Sequence, residues 1–456
     1  MDTYSSVLGA IGRTPLVEVR KLDTGPCRLF LKLENRNPTG SIKDRIGLSM
    51  VEAAERNGQL KPGGTLIEAT AGNTGLGLAL VAAQKGYKLI LVIPDKMAQE
   101  KVLHLKALGA ETHITRSDVA KGHPEYYQDI AQRLSREIEG SYYVNQFANP
   151  ANPLAHETST GPEIWSQMDQ RLDAVVCGVG SGGTLTGLSR YFARMAPQVE
   201  MILADPEGSI LADVVRTGQV QKTAGSWLIE GIGEDFVPPN CDLSRVRRAY
   251  EIKDSESFAS ARELLAAEGL LGGSSTGTLL AAALRYCREQ AEPKRVLSFV
   301  CDSGDKYLSK MYNDHWLFDQ GLLDVPRQYN LLDLVVRRYH EGSAVTVSPQ
   351  DTLLHAYRRM KLFDISQLPV MQDEQLVGIL DESDLLVHVQ AQASRFDDAV
   401  GTAMVRDVET IRPDAPIDSL LPIFQRDHVA VVAEAGRFIG LITRIDLLNH
   451  LRKQLH

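Results

Sequence analysis

A lysine and three loops rich in glycine and hydroxyl groups are the residues of this sequence best suited to chemistry. Lys43 lies in the glycine- and serine-containing segment 38–45 and is followed along the chain by the loops 70–75, 178–184 and 272–277. A neutral lysine amine attacks aldehydes, and glycine-rich loops at helix starts bind phosphate or carboxylate through backbone N–H groups. We therefore expect an enzyme in which Lys43 forms a Schiff base with a phosphorylated aldehyde cofactor.

The elements around these loops predict an α/β fold. Short apolar runs, typical of buried parallel strands, alternate with helical patterns up to about residue 305. The predicted strands are residues 65–69, 89–93, 174–177, 201–204 and 296–300. The predicted helices are residues 42–54, 75–85, 276–290 and one that begins near residue 185. Because glycine-rich loops join strands to helices, we expect the site at the carboxyl ends of the strands.

The loop after the apolar run 174–177 is the candidate phosphate site. Its sequence, Gly-Val-Gly-Ser-Gly-Gly-Thr, offers backbone N–H groups at a helix start, and its hydroxyl groups can add donors. Taken alone, this loop also fits a dinucleotide-binding enzyme, with Asp205 or Glu207 as the acidic residue about 20 positions further on. The combination with Lys43 favours the aldehyde cofactor. The residues expected to hold the phosphate are Gly180, Ser181, Gly182, Gly183 and Thr184.

The ordered set of Lys43 and the three loops resembles the β-family, or fold type II, of pyridoxal-phosphate enzymes over roughly residues 1–320. The resemblance implies pyridoxal 5′-phosphate as the cofactor, two α/β subdomains, and Lys43 as the general base. It also implies that Asn73 contacts the 3′-oxygen and that Ser274 faces the pyridine nitrogen, where a hydroxyl favours β-elimination over transamination.

The same resemblance implies a site for the carboxylate of an amino-acid substrate and a mobile loop, residues 230–235, that closes over it. The residues implied to bind the substrate are Thr70, Ala71, Gly72, Thr74, Gln146 and Gly231. Structural interpretations stay open for parts of the pattern: Thr70 or Asn73 could only cap a helix, and residues 272–277 could only form a tight turn. Asp44 and Arg45 are expected to be a charge at a helix start and its partner.

The reaction implied by the resemblance is β-replacement. Lys43 would remove the Cα proton of serine or of an activated serine, the β-substituent would leave, and a thiol would add. Homocysteine would give cystathionine, sulfide would give cysteine, and hydrogen sulfide production is a further expectation. Phe147 leaves the choice between serine and O-acetylserine open. The alternatives are an O-acetylserine sulfhydrylase, a threonine dehydratase, a dinucleotide-dependent oxidoreductase and a nucleotide-sensing regulatory protein with an inactive α/β domain.

An internal repeat occupies the C-terminal part of the sequence. Residues 375–386 align with residues 437–448, so that Gly378 corresponds to Gly440. A repeated unit of this length buries its apolar face against its twin. The repeat resembles a tandem pair of CBS domains, a Bateman module. The expected domains are therefore a catalytic domain over 1–320, a linker over 321–337 and CBS domains over 338–395 and 396–456.

The resemblance to CBS domains implies a candidate adenosyl site at Thr443 and Asp446 in the second repeat. In the first repeat, Asp381 replaces the hydroxyl residue beside Asp384, which adds negative charge. A weakly charged or cationic ligand such as S-adenosylmethionine is therefore expected, at the second repeat only and coupled to catalysis. The alternative is a packing and dimerisation module without a ligand.

Composition limits the classes of partner. The net charge of −9 over 456 residues argues against nucleic acid, and five scattered cysteines lack a metal-binding spacing, so no metal is expected. The sequence shows no signal peptide and no apolar run approaching the about 18 residues of a membrane span. A cytoplasmic protein is expected, and it is expected to form a homodimer or larger homo-oligomer.

The motif Gly-Arg-Thr-Pro-Leu begins at residue 12, which leaves no room for an N-terminal haem segment, so no haem is expected.

Overall fold

The chain divides into two compact units, Met1–Asn313 and Asp314–His456. A computed structural model describes residues 3–70, 72–95, 99–116, 118–119, 122–323, 330–390 and 392–453. Within these ranges, no helix combines the length and apolar character that crossing a membrane requires.

The first unit is built from alternating strands and helices, as the apolar pattern predicts. Its strands are β1 (Leu16–Glu18), β2 (Arg28–Leu33), β3 (Thr65–Ala69), β4 (Lys88–Pro94), β5 (Glu111–Thr115), β6 (Ser141–Tyr143), β7 (Ala174–Cys177), β8 (Glu200–Pro206), β9 (Val246–Ile252) and β10 (Arg295–Val300). Its helices are α1 (Lys43–Arg56), α2 (Asn73–Lys85), α3 (Gln99–Ala107), α4 (Tyr127–Glu137), α5 (Ala151–Ala155), α6 (Gly161–Gln167), α7 (Gly183–Met195), α8 (Leu211–Thr217), α9 (Asp254–Glu268) and α10 (Ser274–Arg288).

Two separate sheets form the centre of the first unit. One has the order β1-β2-β10-β7-β8-β9 and is parallel except for β1, and the other has the order β5-β4-β3-β6 and is parallel throughout. The central strands β3 and β7 are buried along their whole length, as expected for parallel strands covered on both faces; β7 is apolar throughout, whereas β3 also carries Thr65 and Glu68. The fold is therefore α/β with two subdomains, and the predicted fold class is confirmed.

The loops that carry the candidate site follow buried strands or precede helices. The predicted strands 65–69 and 174–177 coincide with β3 and β7. Helices α2 and α10 begin at Asn73 and Ser274, two residues before the predicted starts. The glycine- and hydroxyl-rich segments thus already form the first helical turns, where backbone N–H groups lack helical partners and remain free to bind anions.

The second unit contains the internal repeat. Its helices are α11 (Asp314–Asp319), α12 (Leu353–Phe363), α13 (Glu382–Val389), α14 (Leu420–Gln425) and α15 (Arg444–Lys453). Its strands are β11 (Gln367–Gln372), β12 (Gln375–Asp381), β13 (Thr410–Ile411), β14 (Ala430–Glu434) and β15 (Arg437–Ile442).

Equivalent hairpins mark the two copies of the repeat. The hairpins β11–β12 and β14–β15 carry an irregularity at the same place, between Val370 and Met371 and between Val432 and Ala433. Two residues with positive φ join the strands of each hairpin, as the twist of a tight hairpin requires. Met371, Val431 and Phe438 share one apolar cluster, so the two copies pack against each other.

Candidate active site

One cavity of the first unit brings Lys43 together with the candidate phosphate loop. It lies where the loops after β7 and β10 meet the starts of α1, α2 and α10. The residues that line it are Ile42, Lys43, Asn73, Cys177, Gly178, Gly180, Ser181, Gly182, Gly183, Thr184, Glu230, Gly231, Ile232, Ser275, Leu279, Phe299 and Cys301. Lys43, Asn73, Gly231 and the candidate phosphate residues, widely separated in the sequence, therefore lie at one concave site. The other described candidates, Thr70, Gly72, Thr74, Gln146 and Ser274, are not among the lining residues.

Lys43 is the first residue of α1 and is half-buried at the wall of this cavity. The segment before it is fixed to the end of β10, since Ile42 N–H donates to the Cys301 carbonyl (2.9 Å) and Ser303 N–H donates to the Gly40 carbonyl (2.9 Å). Burial lowers the pKa of the lysine, and the acidic groups nearby, Cys301 and Asp302 among them, only partly oppose this effect. A lowered pKa favours the neutral amine, which is the nucleophilic form.

The neighbouring charges have structural roles, but Asp44 and Arg45 are not partners. The Asp44 carboxylate accepts hydrogen bonds from the Thr39 N–H group (2.7 Å) and from its hydroxyl group, and burial raises the pKa of Asp44 to about 6. Arg45 pairs with Glu34 and with Glu163, each at 2.7 Å. The predicted pairing is wrong because consecutive residues of a helix point in different directions.

The candidate phosphate loop connects β7 to α7, and at two of its positions a side chain larger than that of glycine would clash with neighbouring atoms. A Cβ atom at Gly180 would lie 2.5 Å from the Gly231 carbonyl oxygen, and one at Gly183 would lie 1.8 Å from Asn152 Oδ1. The bare backbone N–H groups at the start of α7 fit a phosphate group. The Ser181 hydroxyl accepts a hydrogen bond from Asn152 Nδ2 (2.9 Å), which fixes this hydroxyl at the cavity wall.

A buried histidine supports the other hydroxyl of the loop. His156 Nε2 lies 3.2 Å from Thr184 Oγ1, and His156 Nδ1 lies 2.9 Å from Thr160 Oγ1. Burial lowers the pKa of His156 well below its usual value, and the positive charges of Arg45 and Lys43 act in the same direction. The imidazole is therefore neutral and can orient the Thr184 hydroxyl without adding charge.

The candidate carboxylate residues surround the start of α2. Gly72, which has no side chain, occupies the capping position of this helix, so the capping role considered for Thr70 and Asn73 is wrong. The Thr74 hydroxyl donates to Gln146 Oε1 (2.6 Å), which brings two of the predicted residues together. Ala71 lies outside the described residues.

Two residues that sequence reasoning missed support this group. Glu68, buried in β3, accepts a hydrogen bond from Gln146 N–H (3.1 Å), and burial raises the pKa of Glu68 to about 8. Asn152 Nδ2 donates to the Gln146 carbonyl (2.7 Å) and to Ser181 Oγ (2.9 Å), so it links the carboxylate group to the phosphate loop. A buried acid inside an apolar strand was a signal for Glu68, whereas no local pattern marks Asn152.

Ser274 and Ser275, two adjacent serines of the loop 272–277, have different surroundings. Ser275 lines the cavity, whereas the Ser274 hydroxyl accepts a hydrogen bond from Glu230 N–H (3.0 Å). Glu230 and Gly231 also line the cavity, so the segment 230–235 forms part of its wall. Sequence reasoning did not identify Ser275 as a cavity residue, and the contact of Ser274 with the pyridine nitrogen stays a prediction.

The candidate adenosyl residues of the second unit form pairs within each repeat. Thr443 donates to Asp446 Oδ2 through its N–H group (2.7 Å) and its hydroxyl group (2.6 Å). In the first repeat, Asp381 and Asp384 form a reciprocal capping box, and burial, with the charge of Asp381, raises the pKa of Asp384. The two repeats therefore differ in charge at equivalent positions. In the described ranges, no cluster of three His, Cys, Asp or Glu residues could hold a metal ion.

Comparisons with protein families define the class of the protein. The family of pyridoxal-phosphate dependent enzymes matches residues 7–302, and the CBS domain family matches residues 336–391 and 400–453. A lysine, glycine N–H groups at a helix start, and polar side chains from α2 and α10 fit the aldehyde, phosphate and ring of pyridoxal phosphate. The class is thus a pyridoxal-phosphate-dependent enzyme of fold type II with tandem CBS domains.

Individual relatives narrow the class. Cystathionine beta-synthase of Dictyostelium discoideum is 38% identical over 98% of this chain and 92% of its own length. Cystathionine beta-synthase of Mus musculus is 40% identical over 93% of this chain and 77% of its own length. Cysteine synthase A of Escherichia coli is 41% identical, over 66% of this chain and 92% of its own length. The chain belongs to the cystathionine beta-synthase family.

A solved structure is similar to about two thirds of the chain. The crystal structure of a hydrogen sulfide-producing enzyme from Fusobacterium nucleatum superposes with a TM-score of 0.63 and 34% sequence identity. The match covers 67% of this chain and all of that chain.

Proposed function

We propose that this protein joins serine, or an activated serine, to homocysteine and forms cystathionine. The Cβ–oxygen bond of the first substrate breaks and a Cβ–sulfur bond forms, so the second product is water from serine or acetate from O-acetylserine. The observation that carries the proposal is the extent of similarity: the cystathionine beta-synthase of Dictyostelium discoideum matches 98% of the chain, whereas cysteine synthase A matches 66%. Similarity to the first relative thus includes the CBS domains.

Different residues of the chain are proposed to bind the cofactor and to transfer the proton. Pyridoxal phosphate, when bound, withdraws electrons from the substrate's α-carbon and stabilises negative charge there. Lys43 Nζ holds the cofactor in the resting enzyme and removes the Cα proton, for which its lowered pKa is suited. Asn73 would contact the 3′-oxygen of the bound ring and Ser274 would contact its nitrogen, with Ser275 lining the cavity beside them. Gly180, Ser181, Gly182, Gly183 and Thr184 would hold the phosphate.

The substrate's carboxylate is bound at the start of α2, and Gly231 belongs to the segment that closes over it. Helix N-terminal amides and hydroxyl groups favour an anion at this position. The hydrogen bond between Thr74 and Gln146 (2.6 Å) supports a common site for the two. The residues proposed to bind the substrate are Thr70, Ala71, Gly72, Thr74, Gln146 and Gly231.

Cysteine synthesis from O-acetylserine and sulfide is the second candidate, and the similarity to cysteine synthase A favours it. Mass spectrometry of the products distinguishes the two when serine and O-acetylserine are each offered with homocysteine and with sulfide. Cystathionine from serine and homocysteine supports the first proposal. Cysteine from O-acetylserine and sulfide alone supports the second. An absence of product from every mixture, with cofactor bound, indicates an inactive regulatory protein.

The C-terminal unit is proposed to bind an adenosyl ligand at Thr443 and Asp446. CBS domains commonly bind such ligands, and Thr443 and Asp446 carry less negative charge than Asp381 and Asp384.

The proposed domains are a catalytic domain over 1–320, a linker over 321–337, and CBS domains over 338–395 and 396–456. The proposal also includes a homodimer or larger homo-oligomer, a cytoplasmic location and chemistry that uses no haem.

A further inference from the structure

The amide of Asn73 is held on both sides by charged groups that sequence reasoning did not identify. Asn73 Nδ2 donates to Asp302 Oδ2 (2.8 Å), and Asn73 Oδ1 accepts a hydrogen bond from Lys306 Nζ (2.7 Å). A carboxylate accepts and an ammonium donates, so only one orientation of the amide satisfies both neighbours. The direction in which Asn73 presents its side chain is therefore set by Asp302 and Lys306.

Asp302 is itself fixed by a buried tyrosine. Its side chain is 1% exposed, and the Tyr307 hydroxyl donates to the same Oδ2 atom (2.8 Å) that Asn73 contacts. Asp302 Oδ1 is buried and, among the described residues, has no hydrogen-bond partner. Since a buried carboxylate with few donors depends strongly on each of them, the Tyr307 hydroxyl is important for the position of Asp302.

Tyr307 also connects this group to the segment 230–235. Lys101 Nζ lies 4.7 Å from the centre of the Tyr307 ring and 3.5 Å from its hydroxyl oxygen. Lys101 forms an ion pair with Glu230, and Lys310 Nζ donates to Glu230 Oε1 (2.7 Å). Glu230 lines the cavity and donates its backbone N–H to Ser274. A continuous series of contacts thus joins Asn73 to Glu230.

We propose that Asp302 and Tyr307 are positioning residues that orient Asn73 toward the cofactor and link this orientation to the seating of Glu230. The inference rests on the proposed role of Asn73 as a ligand of the cofactor's 3′-oxygen. Both residues act through Asn73 and Glu230 rather than on the substrate. A ligand group held in place before binding costs less free energy to order when the cofactor arrives.

The chain offers a closely matched control for a test of Tyr307. Tyr286 is also buried, its hydroxyl donates to Glu200 Oε2 (2.5 Å), and Lys294 Nζ lies 5.2 Å from the centre of its ring. Tyr286 and Tyr307 therefore share burial, a carboxylate acceptor and a lysine over the ring. The variants Tyr307→Phe and Tyr286→Phe each remove one hydroxyl from such a group, but only the first hydroxyl is connected to Asn73.

The measurement is the dissociation constant of pyridoxal phosphate, from fluorescence titration of the apoprotein, together with the absorbance band of the loaded protein. Tyr307→Phe should raise the dissociation constant about tenfold, as expected for the loss of one hydrogen bond to a charged group, and should shift the band. Tyr286→Phe should change the dissociation constant less than about twofold. Equal effects of the two variants, or no effect of Tyr307→Phe, would overturn the proposal.

A double-mutant cycle tests whether Tyr307 acts through Asn73. In an Asn73→Ala background, Tyr307→Phe should weaken cofactor binding further by clearly less than it does in the wild type, because Asn73 is absent and only the link to Glu230 remains. A full tenfold further loss would show independent action and contradict the proposal. If Tyr307→Phe does not fold, Asp302→Asn supplies the same comparison and should also raise the dissociation constant. A wild-type protein that binds no pyridoxal phosphate would overturn the proposed function, whereas normal wild-type binding with an unaffected variant overturns only this inference.

Discussion

Replacement of Gly182 by alanine should weaken cofactor binding in addition to lowering the stability of the fold. Gly182 precedes α7 with a φ of +83°, in the left-handed region that side chains disfavour. An alanine Cβ at this position would lie 2.6 Å from the Cβ atom and 2.7 Å from the Cα atom of Cys241. Because the Cα atom belongs to the backbone, the phosphate loop must move to accommodate the methyl group.

The Gly182→Ala substitution has two separate costs: backbone strain, which lowers stability, and displacement of the loop, which weakens cofactor binding. The left-handed conformation alone costs alanine about 1–2 kcal/mol of unfolding free energy. Gly218 provides the control, since its φ is +77° and a Cβ atom there would meet nothing within 4 Å. Loss of one charge-assisted hydrogen bond to the phosphate costs about 1.5–3 kcal/mol, which is about a 10- to 150-fold rise in the dissociation constant.

Two measurements on each variant test this reasoning. Denaturant unfolding of the apoprotein should show a loss of stability in both Gly182→Ala and Gly218→Ala. Fluorescence titration with pyridoxal phosphate should show weaker binding in Gly182→Ala only. If Gly182→Ala binds the cofactor as tightly as Gly218→Ala does, the loop does not hold the phosphate.

Three further predictions concern individual side chains. Lys43→Ala should fold normally by circular dichroism and lose about 10²–10⁴-fold in turnover, and near-native turnover would contradict its role as base. Ser274→Asp should lower the rate of β-replacement and alter the cofactor absorbance. An unchanged spectrum would indicate that Ser275, rather than Ser274, contacts the ring. Asp446→Ala should abolish the heat of S-adenosylmethionine binding in calorimetric titration, while Asp384→Ala should retain it. No heat in the wild type, with S-adenosylmethionine or AMP, would identify the repeat as a packing module.

Much of the fold was predictable because the physical signals are local. Buried parallel strands are rich in apolar residues, so β3 and β7 coincide with the predicted strands, although β3 also carries Thr65 and Glu68. Glycine-rich segments after such strands could be placed at the carboxyl edge of a sheet, and the residues from Gly180 to Thr184 line one cavity with Lys43 as expected. The internal repeat was visible in the sequence, and the two hairpins share the same irregularity.

The contacts that support the site were not predictable, because they join residues far apart in the sequence. Lys101 and Tyr307 are separated by 206 positions, and Asn73 and Lys306 by 233. No periodicity or spacing encodes such pairs, which arise only when α3 and the segment after β10 are brought together by the fold. The pairing of Asp44 with Arg45 failed for the opposite reason, since adjacency in sequence does not place two helical side chains together.

The most direct test of the account is the covalent attachment of the cofactor to Lys43. The purified protein loaded with pyridoxal phosphate should be yellow, and borohydride reduction followed by proteolysis and mass spectrometry should locate the cofactor on a peptide. The account predicts that the reduced cofactor is attached to Lys43. Attachment to another lysine, such as Lys101 or Lys306, or no attachment in a protein that is otherwise active, would contradict it.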